Sequence, residues 1–113
     1  MDIAKDALKD MISPAQARKI TCDFIIDIVS NYYNITPADM KSKRRSNEVA
    51  IPRQIAMYLC RHLIDMTFPQ IGNEFGKRDH STVMHACSKI NDELSSIPET
   101  QKDIEELKKR ILG

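Results

Sequence analysis

The sequence has no tryptophan and only three glycines, three cysteines and six other aromatic residues in 113 positions. The scarcity of glycine argues against a β-rich fold with many tight turns. Cys22, Cys60 and Cys87 lie far apart in the chain, which predicts no disulfide framework and is typical of a reducing compartment. No apolar run approaches the ~20 residues of a membrane span, and Met1–Asp6 lack the apolar stretch of a secretory signal. We therefore expect a cytoplasmic protein without a membrane span.

The residues that are present indicate one globular domain with a basic middle. Apolar residues make up 42% and charged residues 29%, with a formal net charge of +1. Residues 41–89 hold nine Lys and Arg against four Asp and Glu, whereas residues 21–40 hold three Asp and no Lys or Arg. Residues 90–113 hold six acidic residues against four basic ones. This distribution suits a polyanion bound on one face, with a solvated charged surface as the alternative.

The spacing of apolar residues predicts helices throughout, and therefore an all-α domain. The long central helix starts between Asn47 and Pro52, and Ile51, Ile55, Leu59, His62, Leu63 and Met66 form its predicted core stripe. Before it, the sequence predicts a helix over residues 2–12, one that starts at Thr21 or Asp23, and a short one capped by Thr36. The second of these buries Phe24, Ile25, Ile28 and Tyr32 on one face. A last amphipathic helix covers Pro98–Leu112, with Ile104, Leu107 and Ile111 facing inward.

Residues 68–94 have the proportions of a helix-turn-helix: a first helix over 68–75, a turn over 76–78 and a longer second helix over 79–94. Thr67 and Gln70 have capping-box spacing, Gly76 suits a left-handed helix end, and Asp79 can cap the second helix. In this motif the second helix enters the DNA major groove, where the polar residues Asp79, His80, Ser81 and Thr82 would meet base edges. Lys77 and Arg78 precede them in the turn, and His85, Ser88 and Lys89 continue the outward face. The alternative is a capped helix pair whose polar face contacts only water.

A basic loop supports the DNA-binding interpretation. Residues 41–46 contain no apolar side chain, and Lys43, Arg44 and Arg45 follow one another there, with Arg53 further along the chain. An Arg-bearing loop beside a helix-turn-helix can reach an adjacent minor groove, where narrow A·T-rich tracts have a strongly negative potential. The alternative is a charged loop without a partner.

Four stretches resemble a known family: Ser42–Ser46, Ile51–Leu59, Pro69–Gly76 and Arg78–Ala86. They are similar to the C-terminal DNA-binding domain of the bacterial chromosomal replication initiator DnaA, and the similarity covers roughly residues 20–112. It implies a Trp-repressor-like helix-turn-helix domain over residues 20–113. Residues 1–19 would then be the connector helix and linker from an upstream ATPase module.

The resemblance also implies a function, namely binding to short A·T-containing boxes in replication origins. Arg45 is then expected in the minor groove, and the residues expected to contact major-groove bases are Arg78, Asp79, His80, Ser81 and Thr82. The residues expected near phosphates are Lys43, Arg44, Arg53, Thr67, Phe68, Lys77, His85 and Lys89. Ser81 stands where Thr is commoner in the family, and Lys77 where Gly is common.

Several chemistries are not expected. No Gly-x-x-x-x-Gly-Lys-[Ser/Thr] motif occurs, so ATP would bind to the rest of the parent protein and this fragment would be neither an enzyme nor cofactor-dependent. The pairs Cys60-x-His62 and His85-x-Cys87 point to different helix faces, which argues against a metal site. The fragment is expected to be monomeric, the full-length protein to oligomerise on nucleoid DNA, and regulatory proteins to be possible partners. Two alternatives remain: a dimeric helix-turn-helix repressor, and a helical adaptor whose basic face binds an acidic protein.

Overall fold

The computed structural model describes residues 20–113, so the predicted helix over residues 2–12 and the linker up to residue 19 lie outside the described residues. The described part contains α-helices and no strand, which confirms the all-α prediction. None of these helices is both long and apolar enough to cross a bilayer. The helices are α1 (Cys22–Tyr33), α2 (Pro37–Met40), α3 (Asn47–Leu63), α4 (Phe68–Glu74), α5 (His80–Ser96) and α6 (Pro98–Leu112).

The helix starts follow the capping residues in the sequence. Thr36 and Asp39 form a capping box at α2, and Thr67 and Gln70 form another at α4, with each hydroxyl accepting an N–H and each N3 side chain accepting in return. Thr21 caps α1 by accepting the backbone N–H of Phe24 at 3.1 Å. The caps predicted at these three helix starts are confirmed. They could be identified from the sequence because a cap depends on residues only a few positions apart.

The central helix α3 is buried on several sides rather than along one stripe. Every residue from Ile55 to Cys60 is buried, because α1, α5 and α4 all pack against this segment. Ile51 and His62, predicted to face the core, are exposed. Pro52 lies in the second turn of α3, and the hydrogen bond it removes is the one to the carbonyl of Glu48 at the exposed start of the helix.

The core is completed by α1, which packs against α3, and by α6, which packs against α1 and α5. The predicted face of α1 is rotated, because Phe24, Ile28 and Tyr32 are only partly buried. The buried residues of this helix are Cys22, Ile25, Ile26, Val29 and Ser30. In α6 the predicted inward residues Ile104, Leu107 and Ile111 are fully buried, as expected. This core leaves the start of α5 and the segment before α3 at the surface.

Candidate nucleic-acid interface

The turn between α4 and α5 is built on two residues with left-handed backbone, Gly76 (φ 87°) and Lys77 (φ 61°). The backbone N–H of Arg78 then donates to the carbonyl of Gly72 at 2.8 Å. A Cβ on Gly72 would collide with the carbonyl of Arg78, so glycine is required for the turn to close against α4. This close approach sets the position at which α5 begins.

Asp79 caps α5, and the first turns of that helix face solvent. The Asp79 carboxylate accepts the N–H of Ser81 at 3.2 Å, as predicted from the sequence. His80, Ser81 and Thr82 are exposed, and His80 Nδ1 lies 3.6 Å from Asp79 Oδ1. Because these polar side chains are exposed at the start of α5, they can form hydrogen bonds with a partner outside the protein.

Further along α5, the exposed face continues with His85 and Lys89. Lys89 Nζ donates to Gln54 Oε1 at 2.8 Å and lies 3.2 Å from Glu93 Oε2. Gln54 belongs to α3 and was not singled out from the sequence, since a lone glutamine on a helix carries no distinguishing pattern. The opposite face of α5 is buried, through Val83, Ala86, Cys87 and Ile90.

The basic loop, residues 41–46, presents Lys43, Arg44 and Arg45 at the surface. Arg44 makes local ion pairs, at 3.4 Å to Asp39 and 3.0 Å to Glu48. Such exposed pairs contribute little stability and exchange readily. Within residues 20–113, Lys43 and Arg45 have no hydrogen-bond or ion-pair partner, so their charges face outward unpaired.

Arg53 is placed quite differently, because its side chain is 6% exposed and points inward from α3. Its guanidinium donates at 2.9–3.1 Å to four backbone carbonyls at the end of α2 and in the basic loop, those of Asp39, Met40, Ser42 and Arg44. Burial lowers the pKa of Arg53, and the nearby positive charge of Arg78 lowers it further.

Arg78 ties the basic loop to the turn before α5. Its Nη2 donates to the carbonyl of Ser42 at 2.6 Å, and its Nη1 donates to the carbonyl of Phe75. Burial lowers the pKa of this guanidinium too. The loop also lies against Gly76, where an added Cβ would collide with the carbonyl of Lys41. The loop and the helix-turn-helix are therefore held together although they are far apart in the sequence.

Two adjoining surface concavities join these elements. One, of about 290 Å³, lies between α3 and α5 and is lined by Gln54, Thr82, His85 and Lys89, among others. The second, of about 440 Å³, lies between the loop and the turn and is lined by Lys43, Arg45, Arg53, Gly76, Lys77, Arg78 and Thr82. The structure thus brings the loop cations and the exposed face of α5 to one surface.

Two of the expected residues lie at the start of α4 and line neither concavity. The other expected residues that line neither are Arg44, Asp79, His80 and Ser81. Thr67 Oγ1 is engaged in the capping box, and it accepts the Gln70 N–H, which is therefore not open to a ligand. Phe68 is partly buried, with the guanidinium of Arg61 4.7 Å from its ring centroid. In residues 20–113 no three His, Cys, Asp or Glu side chains come together in a way that could hold a metal ion.

Comparison with known proteins agrees with this geometry. A family model described as the bacterial dnaA protein helix-turn-helix matches residues 22–90, from the start of α1 into α5. A crystal structure of a DNA replication initiation factor is similar over 80% of this chain, with 30% sequence identity and a TM-score of 0.73. The matched region is 28% of that protein, so the chain spans only about a quarter of its length.

Proposed function

Since the chain belongs to the bacterial DnaA helix-turn-helix family, whose domain binds DNA in replication initiation without catalysing a reaction, we propose that it recognises origin boxes in double-stranded DNA through two grooves at once. The start of α5 enters the major groove, and the basic loop places Arg45 in the adjacent minor groove. One observation carries this proposal: Lys43, Arg45, Lys77 and Thr82 line a single concavity although they come from two separate segments.

The major-groove contacts are assigned to Arg78, Asp79, His80, Ser81 and Thr82. The hydroxyls and the imidazole of this set can donate to or accept from base edges, and a carboxylate can accept from the amino group of cytosine. A contact from Arg78 to guanine would cost its two hydrogen bonds to carbonyls, so we expect His80, Ser81 and Thr82 to discriminate between bases more strongly.

The phosphate contacts are assigned to groups around the two concavities and at the start of α4. The exposed cations are Lys43, Arg44, Lys77 and Lys89, and His85 lies on the same face of α5. Thr67 and Phe68 would contact phosphate from the first turn of α4. Each phosphate neutralised by a cation steepens the log–log salt dependence of binding by about 0.9.

The rest of the parent protein would supply the properties that this domain lacks. Gly76-Lys77 is followed by Arg78, not by the Ser or Thr of a phosphate-binding loop, so the residues present do not fit ATP. We assign ATP binding and oligomerisation on DNA to the other domains, and expect this domain alone to be monomeric. Its place would be on chromosomal DNA in the cytoplasm, where regulatory proteins could dock on surfaces that the DNA leaves free.

The test begins with a duplex that the protein itself selects from a random-sequence library. Affinity for that duplex and for a scrambled duplex of the same composition is measured by fluorescence anisotropy at two salt concentrations. We expect at least a tenfold preference for the selected duplex, together with a salt dependence in both cases. Equal affinity for the two duplexes would contradict sequence recognition and would favour a basic adaptor surface.

Two variants then test the assignment to α5. His80→Ala and Thr82→Ala should each reduce affinity for the selected duplex more than for the scrambled one, because base contacts carry specificity and phosphate contacts do not. Lys102→Ala, at an exposed position on α6, is the control and should change neither. Equal losses on both duplexes would contradict direct contact with base edges.

A further inference from the structure

We propose that Arg53 is a positioning residue for recognition in the minor groove: from the core helix α3 it holds the basic loop in the shape that presents Arg45. This role replaces the direct phosphate contact expected from the sequence. The inference rests on the proposed function for its consequence in DNA binding, and on the hydrogen bonds of the free protein for its structural part.

The first argument is how the donors of Arg53 are used. Nε, Nη1 and Nη2 all donate to backbone carbonyls, and Nη2 donates to two of them, at 3.1 Å each. Four of the five N–H groups of this guanidinium are engaged in this way, and the side chain is 6% exposed, which leaves only one N–H, on Nη1, without a carbonyl partner in residues 20–113. A bidentate contact with a phosphate would therefore require some of these bonds to break.

The second argument is what those carbonyls are. Asp39 and Met40 end α2, where helix carbonyls lack partners within the helix and favour a nearby cation. The carbonyl of Asp39 also accepts from the N–H and the hydroxyl of Ser42. Ser42 and Arg44 belong to the loop that follows. A planar guanidinium with donors in fixed directions can satisfy this curved row of acceptors, and a lysine ammonium, being a compact point charge, cannot span it. Arg53 therefore determines the path of the chain from α2 to Arg45.

The third argument is that the loop has a second attachment. The carbonyl of Ser42 accepts from Arg53 on α3 and also from Arg78 in the turn before α5. One loop carbonyl is thus fixed to both the core and the helix-turn-helix. This arrangement sets the separation between the loop and α5, which a protein contacting two neighbouring grooves must keep constant.

The experiment compares Arg53→Lys with Arg53→Gln in the complete chain. A residue that contacts phosphate directly would keep most of its effect as lysine, because charge is retained. A positioning residue would not, so we expect both variants to lose preference for the A·T end of the selected duplex by roughly the tenfold expected of Arg45→Ala. Recovery of wild-type binding by lysine would overturn the proposal. So would a uniform loss with a salt slope lowered by about 0.9.

A double-variant cycle adds a second criterion. If Arg53 affects base preference only through Arg45, then combining Arg53→Lys with Arg45→Ala should lower the preference for the A·T end no further than Arg45→Ala alone. Additive losses would show that Arg53 acts independently and would overturn the proposal. If instead Arg45→Ala itself leaves binding unchanged, the minor-groove part of the proposed function fails. The structural role of Arg53 is then tested by a measurement on the free protein.

That measurement is amide hydrogen exchange in the free protein. Arg53→Lys should speed exchange, or broaden resonances, in residues 42–46, and leave the amides of Ile104 and Leu107 in α6 unchanged. Arg61→Lys is the matched control, because Arg61 lies on the same helix and donates to one carbonyl, that of Met66, at 3.0 Å, without touching the basic loop. An unaltered loop, or equal acceleration throughout α6, would overturn a local positioning role.

Discussion

Arg45 is an exposed cation whose side chain makes no hydrogen bond or ion pair within residues 20–113, while the backbone around it is held by Arg53 and Arg78. Because the loop backbone is already ordered, binding of the Arg45 side chain costs little conformational entropy beyond the loss of its own rotamers. Because narrow A·T minor grooves have a strongly negative potential, Arg45→Ala should lose about 1–3 kcal/mol of preference for an A·T end over a G·C end of the site. Binding of the two duplexes by anisotropy measures this difference.

Lys43→Ala is the matched control for that prediction. It removes one exposed charge from the same loop, two residues away. It should weaken binding to both duplexes alike, because a phosphate contact carries no base preference. If Arg45→Ala behaved like Lys43→Ala, Arg45 would contact backbone and not the groove.

At the residue scale, the sequence predicts the charge of a side chain better than the direction in which that side chain points. Lys43, Arg44, Arg45 and Arg53 are all cationic and were all expected to face DNA, yet Arg53 turns into the protein. The carbonyls that hold it belong to α2 and the loop, up to 14 positions earlier, and Arg78 reaches a carbonyl 36 positions away. Such contacts exist only after the fold has formed, so no local pattern indicates them.

At the element scale, Gly76 is the point where the helix-turn-helix meets the basic loop. It has φ 87°, and an added Cβ would collide with the carbonyl of Lys41. Gly76→Ala should therefore destabilise the domain by about 1–3 kcal/mol from backbone strain, and should also displace the loop. Urea denaturation gives the first effect, and reduced preference for the A·T end gives the second.

Lys77→Gly should not destabilise the domain, in contrast to Gly76→Ala. Lys77 has φ 61°, which glycine adopts more readily than lysine, so the substitution should leave the free energy of unfolding unchanged or slightly increased. Equal destabilisation by both substitutions would mean that the turn tolerates no change, and would contradict an explanation based on backbone conformation.

The capping box of α2 gives a prediction about pH. The pKa of Asp39 is lowered, first because the backbone N–H of Thr36 donates to its carboxylate, and also because of Arg44. The folded state therefore favours the charged form, and this stabilisation is present above the unfolded-state pKa of about 3.9 and is lost as pH falls through the lower folded pKa. Asp39→Asn should destabilise the domain at pH 7, and the difference from the wild type should shrink below pH 4. Urea titrations at several pH values test this, and a difference that stays constant with pH would contradict it.

Whether an element could be predicted depended on how local its signals are. The caps of α2, α4 and α5 and the bounds of α6 are confirmed, since each is determined by neighbours within a few residues. The buried faces of α1 and α3 were wrong in part, because Val29 and Tyr58 are buried by helices from distant parts of the chain. Apolar spacing identifies a helix but does not say how many neighbours cover it.

At the scale of the whole molecule, one helix serves both the core and the proposed DNA-binding surface. α3 carries the buried segment from Ile55 to Cys60, and directly before it Arg53 and Gln54, which reach the basic loop and α5. The rigidity of the interface therefore follows from the packing of α3. Among the buried side chains from Ile55 to Cys60, Met57 lines the concavity between α3 and α5. A perturbation of the others should weaken sequence recognition only by unfolding the domain.

Leu59→Ala tests this organisation. Leu59 is fully buried in α3, so its truncation should lower the free energy of unfolding by about 2–5 kcal/mol, from lost burial and the cavity left behind. Ile51→Ala is the matched control on the same helix, 37% exposed, and should cost less than about 1 kcal/mol because alanine also favours the helix. Urea denaturation measures both, and binding of the selected duplex well below the unfolding transition should be the same for the two variants. A neutral Leu59→Ala, or equal costs at both positions, would contradict the assignment of α3 as the centre of the core.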